Sequence, residues 1–366
     1  FVEVFLAKEP HGNPVGINFL EKIQLPTLAS LYGAMLAGVD YVLVGAGIPR
    51  AIPEALDRLA ANLKARLHLD VKGHSGDASP EIEFDPAAYT RGVNRPLKRP
   101  KFLPIVSSHV LATMLARNFR GGIDGFILEA PSAGGHNAPP RGALRLNDPG
   151  EPIYGERDTP DLEVMRDLGL PFWLAGSRAE PDAISDAVES GATGVQVGTV
   201  FAFCEESGMD SEIKRQVIEL TRRGSVRVFT DPSASPTGFP FKVLKLDGSL
   251  SETGAYEGRE RVCDLGYLRT AYHREDRSVG WRCPAEPVED YVTKGGDFED
   301  TVGRKCLCNA LMANIGLGQI IGSGGPEPPL VTSGDDVASI RRVLPVGSSS
   351  YTAAHVVDYL LGNERT

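Results

Sequence analysis

The sequence predicts an α/β fold built on a parallel sheet: a (β/α)8 TIM barrel whose first strands lie outside the present chain, followed by a C-terminal extension. Three observations lead there. Six apolar runs of strand length alternate with helix-forming segments, as a parallel sheet requires. The runs end at or near Asn18, Gly45, Ser107, Glu129, Gly176 and Gly198, residues that either do polar chemistry or let a ligand approach the backbone. A barrel gathers its functional groups at the C-terminal ends of all its strands, whereas an open doubly wound sheet concentrates them at one switch point, so this spread favours the barrel. Six strands are two short of eight. The chain begins at Phe1, inside an apolar run, so an N-terminal portion carrying the other two is expected upstream.

Taken in order, residues 1–6 read as a strand, and Gly12-Asn13-Pro14 turns the chain into a second one over 15–20. A helix is expected over 26–37, with Gly38 as its C-terminal stop. A buried strand follows over 41–45 and an amphipathic helix over 52–67. The intervening Gly45-Ala46-Gly47-Ile48-Pro49-Arg50 is no dinucleotide fingerprint, because Arg50 stands where a third small residue is required; it reads as a tight strand-to-helix loop at the barrel mouth. Residues 69–100 are polar and rich in Pro and Gly, an excursion from the core. The alternation resumes with a strand over 102–107, a helix over 110–117 and the central strand over 125–129. A long loop, a helix over 161–168, a strand ending at Gly176, a helix over 181–190 and a strand ending at Gly198 complete it. Beyond about residue 207 the rhythm is lost, and residues 230–241 have the loop chemistry to cover a cleft. Short helices are expected over 301–315 and 353–361. The division expected is an N-terminally incomplete barrel over 1–240 and an extension of short helices and loops over 241–366.

Composition narrows the function. A chain of 366 residues with 42% hydrophobic and 23% charged residues can bury a large core, which excludes wholesale disorder. Its formal charge of −10 gives no support to a nucleic-acid or anionic-membrane surface. No apolar run approaches the ~18 residues a membrane helix needs. Five cysteines, an odd number in a large chain, argue against a disulfide framework and for a reducing, cytoplasmic setting. Cys263, Cys283, Cys306 and Cys308 crowd into the last third, but with one Cys-x-Cys pair they lack standard zinc-knuckle spacing; no metal site is assigned.

The organising stretch is Gly125 to Arg141. An apolar strand stops at Glu129, and a glycine pair then delivers a single imidazole, His136. Downstream, Leu174-Ala175-Gly176-Ser177 and Gly194-Val195-Gln196-Val197-Gly198-Thr199 each end an apolar strand in glycine plus a hydroxyl residue. Backbone N–H groups exposed in this way suit a phosphate. An imidazole near neutral pKa can take an acidic C–H proton or hold a developing anion.

Together, Ala133-Gly134-Gly135-His136, Leu174-Ala175-Gly176 and the run 191–199 resemble the nitronate monooxygenase (2-nitropropane dioxygenase) family over roughly residues 13–205. The resemblance implies an FMN-dependent (β/α)8 barrel that oxidises alkyl nitronates with molecular oxygen to a carbonyl compound and nitrite. It implies His136 as the catalytic residue and Gly176, Gly198 and Thr199 at the phosphate. Ala133, Gly134 and Gly135 would line the flavin, with Asn18 and Ser107 reaching it from earlier strands and Glu129 binding rather than acting as base. The family has a second glycine where Ser177 stands; its hydroxyl would donate to the phosphate or slightly displace it. Two alternatives stay open: an FMN-dependent enoyl-thioester reductase using NAD(P)H, and a flavin-binding barrel without activity. The partners expected are a small-molecule substrate and oxygen, with no nucleic acid and no membrane; a homo-oligomer is compatible.

Overall fold

The computed structural model describes residues 1–9, 11–73, 80–90, 95–119, 122–322 and 324–363. The chain runs α1 (Val2–Lys8), β1 (Gly16–Leu20), α2 (Thr27–Leu36), β2 (Tyr41–Gly45), α3 (Ile52–Ala60), β3 (Ala65–His68), β4 (Val71–Lys72), β5 (Glu81–Phe84), β6 (Lys101–Val106) and α4 (His109–Asn118). It continues with β7 (Phe126–Glu129), α5 (Leu162–Asp167), β8 (Phe172–Ala175), α6 (Asp182–Glu189), β9 (Gly194–Gln196), α7 (Thr199–Ala202) and α8 (Ser211–Arg222). The last third contains β10 (Val228–Asp231), β11 (Phe241–Leu244), α9 (Thr253–Glu257), β12 (Thr270–His273), β13 (Val279–Arg282), α10 (Val288–Thr293), α11 (Leu307–Ala313), α12 (Ile340–Val343) and α13 (Ala353–Leu360).

All six expected strands are present, and they form one sheet in the order β1-β2-β6-β7-β8-β9. Pairing is parallel wherever the register is defined: Gly16 to Leu20 lie opposite Tyr41 to Gly45, Tyr41 to Val44 opposite Lys101 to Pro104, and Trp173 to Ala175 opposite Gly194 to Gln196. Strand order thus follows chain order, as right-handed βαβ crossovers produce. This is an α/β fold on a parallel sheet. Among the described residues the sheet has six strands, with β1 and β9 at its ends.

Contacts divide the chain into two units, residues 1–127, 163–172 and 269–281 in the first and 128–162, 173–268 and 282–366 in the second. The division passes through β7 and between the first two residues of β8. The first unit has a core that includes Leu28, Leu31, Val42, Leu56, Leu59 and Phe102. In the second, Val200, Phe203, Val217, Leu244, Ile340 and Tyr351 belong to one buried cluster. There Glu180 ties α6 to the C-terminal helices by accepting hydrogen bonds from Ser339, Arg342 and Tyr359.

Two expectations need correction. Residues 1–6 are helical, not extended. Only Val4 of α1 is buried, so the segment has no sheet face to fill, and local bonds such as Phe5 N–H to the Phe1 carbonyl (2.9 Å) take its backbone instead. The helix expected over 52–67 stops at Ala60: Asn62 takes a left-handed φ of +55°, and residues 65–68 become β3, paired antiparallel with β5. A strongly amphipathic start concealed that break. Beyond residue 207 the strands no longer join the parallel sheet. Asp210 caps the twelve-residue α8 by accepting from the N–H groups of Glu212 and Ile213, and β10 and β11 form an antiparallel hairpin around residues 232–240. Residues 74–79 and 91–94 of the polar excursion lie outside the described residues. No helix among the described residues is long and apolar enough to cross a membrane.

Candidate functional site

The site is best defined in the second unit, where β7 ends. Leu128 is buried, Glu129 is half-buried, and the Ala130 N–H donates to the Ala175 carbonyl (2.9 Å), placing the ends of β7 and β8 side by side. From there the loop 132–137 is held in place by chain that arrives much later. The Gly135 N–H donates to Thr332 Oγ1 (2.7 Å), and the Gly135 carbonyl accepts from the Lys242 N–H (2.9 Å). The Asp335 N–H donates to the Ser132 carbonyl (3.0 Å), and the Asn137 N–H to the Pro240 carbonyl (2.9 Å). The buried Lys242 ammonium bridges both oxygens of Asp335 (2.7 and 2.8 Å). These bonds draw Lys242 and the turn 332–336 into one framework around the glycine loop.

That framework explains the glycines. A Cβ on Gly134 would lie 2.9 Å from both the Gly334 nitrogen and the Ser333 carbonyl carbon, so Gly134 is set by chain packing. Gly135 takes φ +80°, which a side chain resists, and a Cβ there would face open space. Gly176 is constrained twice: its φ is +95°, and a Cβ would come within 3.0 Å of the Ala133 nitrogen and Ser132 Oγ. Ser177 follows with φ +51°, a left-handed conformation that a non-glycine residue adopts only under constraint.

His136 Nε2 lies 2.7 Å from Ser235 Oγ, and Ser235 is fully buried. That hydroxyl also pairs with Thr237 Oγ1 (2.8 Å) and accepts the Thr237 N–H (3.2 Å). The ring meets Phe241 edge-on at 4.9 Å between centroids, and Phe239 at 6.5 Å. Burial lowers the imidazole to about 4, so His136 is neutral at pH 7. The same effect acts oppositely on Glu129, raising its carboxyl to about 8 and keeping it protonated. Glu129 is thereby a proton donor near neutrality, and His136 has the unprotonated form a base needs.

At the end of β9, Gly198 is exposed, has φ −120°, and a Cβ built on it meets nothing within 4 Å. The Thr199 side chain, by contrast, is fixed: its Oγ1 accepts the Gly334 N–H (3.1 Å). Arg178 Nε is buried without a hydrogen-bond partner, one residue beyond Ser177. Asn18 and Ser107 belong to the first unit. Asn18 is exposed on β1 opposite Leu43, and Ser107 is half-buried just before Ser108, whose Oγ caps α4. In that unit the ends of β1 and β2 open on a cleft of about 210 Å³ lined by Glu21, Gln24, Arg50 and His68 among others. Glu21 Oε2 is buried there, 3.4 Å from the Lys22 ammonium, and burial raises its carboxyl.

Sequence reasoning singled out His136 and the strand-end glycines but passed over Ser235, Lys242, Asp335 and Arg178. Ser235 had one signal, its place in the loop 230–241 expected to cover a cleft. The other three had none.

No family model matches the chain. Over 120 residues it is 30% identical to a probable nitronate monooxygenase of Staphylococcus haemolyticus, a match covering 32% of this chain and 32% of that protein. The chain therefore matches about a third of the length of that curated relative. Among solved structures it is similar to FabK from Thermotoga maritima, with a TM-score of 0.50 and 18% identity over 98% of this chain and 78% of that one. It is also similar to the enoyl reductase domain of MlnA from the macrolactin biosynthesis cluster of Bacillus amyloliquefaciens. There the TM-score is 0.50 and the identity 13%, over 98% and 84% of the two chains. At such identities the structural likeness speaks to the fold.

Proposed function

We propose that this chain is an FMN-dependent flavin oxidoreductase of the nitronate monooxygenase type, converting alkyl nitronates and oxygen to a carbonyl compound and nitrite. The observation that carries the proposal is His136: a neutral, half-buried imidazole, hydrogen-bonded to a buried serine and presented by a glycine loop at the end of a parallel strand. The 120-residue likeness to a probable nitronate monooxygenase favours nitronates as the substrate class. Closure of the sheet into a (β/α)8 barrel belongs to the same proposal.

The residues present fit FMN. Gly135 and Gly198 leave open space at the backbone, and the unpartnered Arg178 Nε beside Ser177 suits a phosphate counter-charge. In this reading the Gly176-Ser177 turn and the Gly198 N–H hold the phosphate, the loop 133–135 lies along the flavin, and Glu129 binds it. Thr199 Oγ1 accepts the Gly334 N–H, which fixes the side chain and leaves its hydroxyl proton for the phosphate. FMN, when bound, supplies the electron transfer.

His136 serves substrates that carry a proton on the reacting carbon. The C–H bond breaks, its electron pair stays with the nitro-bearing carbon, and the proton goes to the imidazole. Phe239 and Phe241 restrict water at the ring. Ser235 orients it: with Nε2–H donating to Ser235 Oγ and the serine hydroxyl donating to Thr237 Oγ1, the Nδ1 lone pair is left free to take the proton. Five cysteines outside any disulfide are compatible with a reducing, cytoplasmic setting.

A second reading, enoyl-thioester reduction with NAD(P)H, is favoured by the likeness to the MlnA enoyl reductase domain. Two assays separate them: nitrite release from an alkyl nitronate in air, and NAD(P)H oxidation with an enoyl thioester. Nitrite release alone is the expected result; thioester-dependent NAD(P)H oxidation without nitrite would replace the first reading with the second.

A further inference from the structure

The serine that seats His136 is itself held by the C-terminal extension. Ser235 lies in the connection between β10 and β11, whose start is folded back by Asp231: its Oδ1 accepts the N–H groups of Ser233 (2.8 Å) and Ala234 (3.0 Å). The rest of the grip arrives about seventy positions later. Arg304 Nη1 donates to the carbonyls of Ser233 (2.9 Å) and Ser235 (2.6 Å), while its Nε donates within its own segment to the Asp300 carbonyl (3.0 Å). The Lys305 N–H donates to the Ala234 carbonyl (2.9 Å), and the Lys305 ammonium pairs with Asp231 Oδ2 (3.2 Å). The carbonyls of 233, 234 and 235 thus all end on residues 304 and 305.

Gly303 lets the two segments approach. Its φ is +72°, and a Cβ there would lie 2.9 Å from Ser233 Cβ, so a side chain would push the segments apart. The clasp is anchored in turn: Arg261 Nη2 donates to the Thr301 carbonyl (3.0 Å) and to Tyr256 Oη (3.1 Å), and the Lys305 ammonium sits over the Tyr256 ring at 4.7 Å. Ala234 and Ser235 are fully buried, so their carbonyls need partners in any case. What lifts the clasp above that need is the Ser235 side chain. It turns on a single torsion with three staggered positions, so the backbone decides whether Oγ reaches His136. A displacement of about 1 Å would lengthen the contact to Nε2 beyond hydrogen-bond range.

We propose that Arg304 is a positioning residue for His136, acting through Ser235. By fixing the Ser235 backbone it holds Oγ where Nε2–H donates to it, which keeps the ring in one orientation and Nδ1 bare. The consequence for turnover rests on the reading of His136 as a base; the consequence for the imidazole does not. Residues 300–305 of the extension thereby take part in the chemistry without touching a reacting atom.

The test uses the full chain with isotopically labelled histidine, in which long-range proton–nitrogen spectra distinguish a protonated from a bare ring nitrogen. The chain has seven histidines, and the His136 signals are those absent from His136→Asn. The unmodified protein should show the proton on Nε2 and a bare Nδ1. In Arg304→Met, which removes both carbonyl bonds, the two nitrogens should move toward averaged shifts. Nitrite release from a neutral nitroalkane should fall about 10–10²-fold, and release from a preformed nitronate much less. Arg304→Lys, which keeps the charge but loses the planar fork, should lie between. Val217→Ala, which loosens the packing of α8 in a buried cluster away from the clasp, should leave the His136 signals unchanged and so separates positioning from lost stability. Unchanged His136 signals in folded Arg304→Met overturn the proposal, as they do in Arg304→Lys should the methionine variant fail to fold. Signals that shift as expected in a protein that never releases nitrite would refute the nitronate reading and leave the positioning role standing.

Discussion

Replacing His136 by Asn tests the chemistry most directly. The structure indicates that the variant folds. The substitution removes one hydrogen bond, to Ser235 Oγ, worth about 0.5–1.5 kcal/mol. It also removes an edge-on aromatic contact with Phe241, worth about 0.5–1.5 kcal/mol. Ser235 is not orphaned, because Thr237 still donates to it and pairs with its hydroxyl. The stability loss should therefore stay near 1–3 kcal/mol, within what a chain of this size tolerates. Flavin binding should persist, since Gly176, Ser177 and Gly198 are untouched. The effect on turnover should depend on the substrate. A neutral nitroalkane needs a base, and general-base catalysis is worth about 10²–10⁴-fold, or roughly 2.7–5.4 kcal/mol of barrier. A preformed nitronate has already lost that proton. Initial rates of nitrite release with both substrates, normalised to bound FMN, should show a loss of ~10²-fold or more on the nitroalkane and a much smaller one on the nitronate. Equal losses on both would refute the role as base and leave substrate binding or anion stabilisation; no loss on either would remove His136 from the chemistry.

Gly198→Ala separates the phosphate role from a structural one: a Cβ meets nothing there and φ is −120°, so melting of the apoprotein should be unchanged while FMN affinity falls, and unchanged affinity would exclude Gly198 from the cradle. Because Glu129 is raised to about 8 in the folded chain, it stabilises fully only below its unfolded value near 4.5, and that stability is lost as pH rises through 8. Glu129→Gln should accordingly raise the apoprotein's melting temperature relative to wild type at pH 7–8 more than at pH 4, and a pH-independent difference would contradict the shift. The buried Arg259–Glu327 pair, reinforced by Gln319, should lose about 3–5 kcal/mol in Arg259→Met, with much of it restored by adding Glu327→Leu, as read from denaturant midpoints. An equal or larger loss in the double variant would show that the pair is net stabilising.

Local pattern carried much of this protein. Apolar runs bounded by glycine and polar residues marked all six strands of the sheet, because each is short, apolar and flanked by turn chemistry that needs no distant partner to be recognised. Gly176 was legible for the same reason: its φ of +95° is a local demand. His136 could be singled out by the glycines beside it. What the sequence could not carry were outcomes decided by partners far along the chain. Residues 1–6 have strand-like composition but became α1, since no sheet face received them. Gly134 looked like a flavin contact, yet Ser333 and Gly334, about two hundred positions later, are what exclude its Cβ. Thr199 read as a phosphate contact, and nothing local announced that the Gly334 N–H would donate to its Oγ1. Ser235, Lys242 and Asp335 carry no motif at all; each matters only because long-range hydrogen bonds bring it to the loop 132–136. Periodicity and turn residues are written in neighbours, but the burial that lowers His136 and raises Glu129 exists only once the chain has closed around them.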